Sequence, residues 1–167
     1  GLCVTFSTPA TGYVVGGAGM FNVTTNGGAS WSSQTASGYG LNDLLASDRT
    51  LWAVGDNATI LHSSNGGSTW FEEQRSMYAS LNGVALAGSI PVAVGEYGAI
   101  VRKDGSWNSQ DPAVIRSVNW LAFADRRNGV AAGQYGLLMK TNDGGATWNT
   151  VAGISGDSYY GAEMADS

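Results

Sequence analysis

Few side chains in this sequence are equipped for chemistry: thirteen carboxylates, one histidine and one cysteine among 167 residues. Glycoside cleavage needs two positioned carboxylates. Asp48, Asp56, Glu96, Asp125 and Asp143 fall in segments that read as turns. Glu72 and Glu73 are adjacent, and neighbours on a strand point to opposite faces, so this pair reads as solvated surface. His62 stands beside Ser63 and Ser64, but no third group is signalled to orient it as a base. It reads as a structural or surface histidine. Cys3 is alone, which excludes an internal disulfide and a cysteine metal cluster. It reads as a small buried hydrophobe, with a lipid anchor or an intermolecular bridge as alternatives. Metal sites built from several histidines or cysteines are excluded for the same reason. The sequence assigns no catalytic residue, no cofactor and no metal.

The charge distribution points to binding. Net charge is -5, which argues against nucleic acid and anionic lipid, since both need a basic surface. No run approaches the roughly 18 apolar residues of a membrane helix, so direct membrane insertion is not expected. Residues 101–140 nevertheless hold six of the eight basic side chains and only three acids, Asp104, Asp111 and Asp125. Arg102, Arg116, Arg126 and Arg127 in that span are the candidate contacts for an acidic protein partner, where arginine makes bidentate pairs. The alternative is that they are turn residues scattered over both faces.

The elements that must carry these groups are legible from an internal repeat. Gly16, Gly55, Gly95 and Gly133 are 39, 40 and 38 residues apart. Trp31, Trp70, Trp107 and Trp148 follow at intervals of 39, 37 and 41. Two markers keeping one period define four copies of a unit of about 40 residues. Each copy reads as four short strands: an apolar run, a Tyr-Val-Val-type run up to the aligned glycine, a second apolar run, and a last strand opening at the tryptophan. That is the unit of a propeller blade. Glycine and β-branched residues interrupt every candidate for a long amphipathic helix.

Between the third and fourth strands lies the motif S/T-x-D/N-x-G-x-x-W, seen from Thr24 to Trp31, Ser63 to Trp70 and Thr141 to Trp148. Asn26, Asn65 and Asp143 are placed to accept hydrogen bonds from turn amides. Gly28, Gly67 and Gly145 supply a positive φ. The tryptophan then covers the joint between strands, burying about 150–250 Å², or roughly 4–6 kcal/mol before entropy. The third copy has nine residues from Gly98 to Trp107 where the others have twelve, which predicts a tighter hairpin. The motif reads as a fastener, and a calcium-ligand role for Asp143 as the minor alternative.

These residues carry a resemblance. The Leu51-Trp52-Ala53-Val54-Gly55 run and the stretch from Gly136 to Trp148 resemble the Asp-box, or bacterial-neuraminidase, repeat, and most closely that of the photosystem II stability/assembly-factor-like propellers. The resemblance spans essentially the whole chain and implies a non-catalytic binder of membrane-complex subunits. Related repeats occur in sialidases, other glycosidases and sorting receptors, so fold alone does not choose among them. A sialidase would need an R-I-P motif, and here Ile90-Pro91 is preceded by Ser89.

The expected fold is therefore all-β: a β-propeller of four four-stranded antiparallel blades at about 2–36, 41–76, 80–112 and 117–153. Residues 158–167 align with Val118 to Ala124 as the start of a fifth blade, which suggests a segment of a ring of six to eight blades, or one completed by another chain. The chain opens directly on Gly1-Leu2-Cys3-Val4, as a processed or partial product would. The expected function is a protein-binding assembly scaffold in an extracytoplasmic compartment. The alternatives are a carbohydrate-binding or glycosidase-type segment whose active residues lie elsewhere, and a structural subunit of an extracellular or membrane-associated assembly. Asn22 and Asn57 head glycosylation sequons, with Asn57 expected in an exposed turn.

Overall fold

A computed structural model of the chain describes residues 2–73, 78–151 and 156–160. The chain divides into two compact units, Gly1–Ser80 and Leu81–Ser167. Each unit holds two four-stranded antiparallel sheets in simple up-and-down order.

In the first unit, one sheet is β1 (Cys3–Phe6), β2 (Gly12–Val15), β3 (Met20–Thr24) and β4 (Ser32–Thr35); the other is β5 (Leu41–Ser47), β6 (Thr50–Gly55), β7 (Ile60–Ser63) and β8 (Phe71–Glu72). Tyr13, Val15 and Phe21 of the first sheet bury against Leu41, Leu44, Leu51, Ala53 and Leu61 of the second. Trp70 drives its edge onto Phe21, with ring centroids 5.1 Å apart. His62 stacks flat on its cross-strand neighbour Trp52 at 4.3 Å, a structural role. Cys3 donates its thiol weakly to the Leu44 carbonyl (3.9 Å). Burial and the neighbouring Asp43 carboxylate push that thiol up to about 12, so it stays protonated and unreactive at neutral pH.

The second unit repeats the plan with β9 (Leu81–Ala87), β10 (Ile90–Gly95), β11 (Ile100–Asp104) and β12 (Ser106–Gln110), then β13 (Val118–Phe123), β14 (Gly129–Gly133), β15 (Leu138–Thr141) and β16 (Asn149–Thr150). Val92, Val94 and Ile100 pack against Leu121, Ala131, Met139 and Trp148. The shortened third copy forms the tight hairpin its length implies. Asp104 pairs directly with Ser106 across Gly105, and β12 is the longest of the four fourth strands.

In three copies the fourth strand begins one residue after the tryptophan rather than at it. The turn's own hydrogen bonds reach the residue before each of these tryptophans. Asn57 is half-buried, not exposed: it occupies a tight left-handed corner (φ 53°). Tyr159 donates its backbone N–H to Gly133 O at 2.9 Å, as Leu41 does to Gly16 O at 2.9 Å. Asn119 Nδ2 bonds Tyr159 O (2.8 Å), repeating the bond from Asn82 Nδ2 to Val118 O (3.0 Å). Residues 156–160 carry no strand, and 161–167 of the expected fifth-blade segment lie outside the described residues.

Candidate functional site

Each sheet has two ends with different chemistry. At one end, in three of the sheets, the loop between the first two strands meets the glycine-rich turn between the last two. At the other a four-residue corner joins the second and third strands.

The glycine-rich turn is organised by its first residue. Thr141 Oγ1 is buried, accepts from the N–H of Gly145 (3.0 Å) and of Asp143 (3.3 Å), and donates to Asp143 Oδ1 (2.8 Å). Asp143 in turn accepts from Thr147 N–H (2.9 Å) and Thr147 Oγ1 (2.6 Å). Thr24 with Asn26, and Ser63 with Asn65, build the same figure, their amide Nδ2 groups donating to Ser30 Oγ and Thr69 Oγ1 at 2.9 Å. Gly28, Gly67 and Gly145 have φ of 90°, 83° and 82°, as the turn demands. Asn26, Asn65 and Asp143 each accept through Oδ1 from a turn amide, that of Ser30, Thr69 and Thr147 respectively. The buried hydroxyl hub is the part sequence reasoning missed; its signal was Ser or Thr at the head of all three full motifs, where Lys103 stands in the third copy. Both Asp143 oxygens are engaged within the turn, which makes it a fastener.

Partial burial works to raise the Asp143 pKa, but the bonds from Thr147 and Thr141 outweigh it and hold the carboxyl below its ordinary value. A depressed folded pKa contributes stability above the unfolded value near 4, and this is lost as pH falls through the folded value. Asp143→Asn keeps the geometry that Asn26 and Asn65 show. It is therefore expected to be slightly less stable than wild type at pH 7, with the gap closing below about pH 4. Melting temperatures of both proteins from pH 7 to 2.5 check this, and a constant gap would contradict it.

The tryptophans are less uniform than the motif implies. Trp148 is 8% exposed and bonds Gly145 O through Nε1 (3.2 Å), and Trp107 is also buried. Trp31 is 39% exposed; Phe6 meets it edge-on at 6.3 Å and Gly28 lies beside its ring.

The four candidate arginines do not form one group. Three gather around the turn at 142–145. Arg102 Nε donates to Gly144 O (3.0 Å) and its Nη1 pairs with Asp104 (2.8 Å). Arg127 Nε donates to Asn142 O (3.2 Å), and its carbonyl accepts from Gly144 N–H (2.9 Å). Arg126 is exposed beside Gly88, and among the described residues it has no hydrogen-bond or ion-pair partner. Asp125 caps this loop; bonds from the Asn128 side chain and from the N–H groups of Asn128 and Arg127 hold its carboxyl down at about 2. In the first unit Arg49 latches its own turn in the Arg127 manner, through Asn65 O (3.2 Å). Arg116 lies at the other end of β14, about 17 Å away by strand rise, where Nη1 donates to Tyr135 O (3.2 Å).

At that other end every corner holds a non-glycine residue in the left-handed region: Ala18 (φ 54°), Asn57 (53°), Tyr97 (55°) and Tyr135 (54°). The glycine before each corner is extended, and at Gly55 and Gly133 the need for glycine is steric. A Cβ on Gly133 would overlap the Ser117 carbonyl oxygen, and one on Gly55 the Gly40 carbonyl oxygen. No helix among the described residues is long and apolar enough to cross a membrane.

Four up-and-down sheets with left-handed corners, three of them with hydroxyl-centred glycine turns, define the blades of a β-propeller. Residues 2–70 match the family model described as photosynthesis system II assembly factor YCF48. No curated protein matches the chain. Among solved structures, YCF48 bound to D1 peptide is 16% identical with a TM-score of 0.55, over 89% of this chain and 79% of that one. YCF48 from Cyanidioschyzon merolae is 17% identical with a TM-score of 0.67, over 90% and 58%. An ancestral GH74 enzyme is 15% identical with a TM-score of 0.73, over 90% of this chain but 24% of that one. These likenesses establish the fold.

Proposed function

We propose that this chain is a non-catalytic propeller module that docks a protein partner in the assembly of a larger complex, in an extracytoplasmic compartment. The observation that carries this reading is the gathering of Arg102, Arg126 and Arg127 around one turn of an otherwise acidic chain. Arg102 and Arg127 are each fixed by a backbone carbonyl, so their guanidinium planes are held in place before a ligand arrives. Arg126 supplies the uncommitted charge. The partner surface is acidic, and we take a membrane-complex subunit as its class; the YCF48 likeness supports a protein partner. The similar structure of YCF48 with a D1 peptide supports peptide recognition by this kind of propeller. The domain reading is that Tyr159 opens a fifth blade. Val130 and Leu138 of the fourth sheet support it: both are half-buried where their counterparts Val92 and Ile100 are fully buried.

Arg126→Glu tests the docking reading, because it breaks no bond of the fold. Binding of a D1 peptide and of an Asp/Glu-rich peptide is expected to weaken about tenfold at low salt, or ~1.4 kcal/mol, and less at high salt. Unchanged binding at low salt would overturn it. Specific glycan binding without peptide binding would favour the carbohydrate reading instead.

A further inference from the structure

The second unit carries aromatic rings where the fold charges for them. Tyr97 and Tyr135 occupy the left-handed position of their corners, yet their rings are 76% and 65% exposed. A bulky residue at positive φ is unfavourable by about 1–2 kcal/mol relative to glycine, and the exposed rings recover little of it by burial. The first unit fills the same position with Ala18 and Asn57, so the corner itself does not require tyrosine. Backbone strain kept for an exposed side chain points to a use outside the fold.

The surroundings say what that use is. Both corners are rigid, closed by Ala99 N–H to Glu96 O (3.0 Å) and Leu137 N–H to Gln134 O (3.1 Å). The connector between the two sheets runs past both: Val114 abuts Gly98, and Arg116 bonds Tyr135 O. Between these contacts Ile115 points outward, 87% exposed. Beside it opens a notch of about 330 Å³ lined by Ala113, Val114, Ile115, Arg116, Leu137 and Thr150. Arg116 pairs with no carboxylate among the described residues. Exposed tyrosines on closed corners, and an arginine that both lines an aliphatic notch and bonds Tyr135 O, have the composition of a protein-binding hot spot. Four aliphatic lining residues suit an apolar side chain better than a polyol.

We propose that the corner end of the second unit, formed by Tyr97, Ile115, Arg116 and Tyr135, is a docking surface for an extended peptide that presents an apolar side chain beside a carboxylate. The apolar group enters the notch, the rings flank it, and Arg116 pairs the carboxylate. This surface lies at the opposite end of the sheets from Arg126 and stands whether or not Arg126 binds a partner.

A random dodecapeptide library selected on the whole chain tests the proposal, followed by fluorescence polarisation of the enriched peptides. The expected consensus pairs an aliphatic or aromatic residue with Asp or Glu. Tyr97→Asn/Tyr135→Asn should weaken these peptides at least tenfold while melting no lower than wild type, because asparagine is at home in that position, as Asn57 shows. Ile115→Ser, a change at an exposed side chain, should weaken them severalfold, and Arg126→Glu should leave them unchanged. A selection without that consensus, equal binding by the double tyrosine variant, or tyrosine-dependent binding on a glycan array would each overturn the proposal. Loss on Arg126→Glu alone would overturn it while supporting the arginine-end reading.

Discussion

Alanine at Gly133 is expected to destabilise the second unit by about 3 kcal/mol or more, although it adds a single methyl group. The backbone there is extended (φ -160°), a conformation any residue adopts, so dihedral preference does not enter. The obstacle is space. The new Cβ would overlap the Ser117 carbonyl oxygen and lie 3.0 Å from Val118 Cα. Both are backbone, and a side-chain rotation cannot relieve them. Moving the connector away breaks the bond from Gln134 N–H to Ser117 O (3.0 Å), which ties the corner to the strand that opens its own sheet. Gly17→Ala is the control: nothing lies within 4 Å of its Cβ position, and the change should stay within about 0.5 kcal/mol. Urea denaturation of the two variants measures the difference. Equal midpoints would show that the connector yields more easily than the geometry implies.

The second large effect separates two tryptophans that look equivalent in sequence. Trp148→Ala removes a ring packed with Val92, Met139 and Phe123, and it leaves Gly145 O without its indole donor. The expected loss is about 3–5 kcal/mol. Trp31→Ala removes a ring that meets Phe6 edge-on, lies beside Gly28 and is 39% exposed, and the expected loss is about 1 kcal/mol. Thermal melts of both variants check this. Comparable losses would mean that the first tryptophan is covered in solution by something absent from its own unit.

The strand plan could be read from the sequence because two markers kept one period, and both are local. A glycine followed by a short corner and a motif ending in tryptophan depend on a few neighbouring residues. The reasons behind the markers were harder to read. Gly133 looks like a turn glycine, but its requirement comes from Ser117, a contact made only when the sheet closes. The hydroxyls of Thr24, Ser63 and Thr141 are marked in the sequence only by their place at the head of the motif; that they are buried hubs is not, because a surface threonine and a buried one are spelled alike. Arg102, Arg116, Arg126 and Arg127 share one stretch of sequence. A strand of five residues nevertheless places Arg116 at the opposite end of the sheet, which proximity in the chain cannot show. Tyr97 and Tyr135 were legible only as corner residues; their left-handed backbone, which makes them informative, appears in the dihedral angles.

The side-chain bonds from Asn82 to Val118 O and from Asn119 to Tyr159 O have a consequence for how such a gene can grow. Each runs forward, from the second residue of one copy's first strand to the start of the next copy. A duplication that inserts one whole period of the second unit restores a donor and an acceptor at both new junctions. A duplication of half a period restores neither and strands an amide against a strand that offers it nothing. Lengthening by whole copies therefore keeps these bonds, and lengths between whole copies lose them.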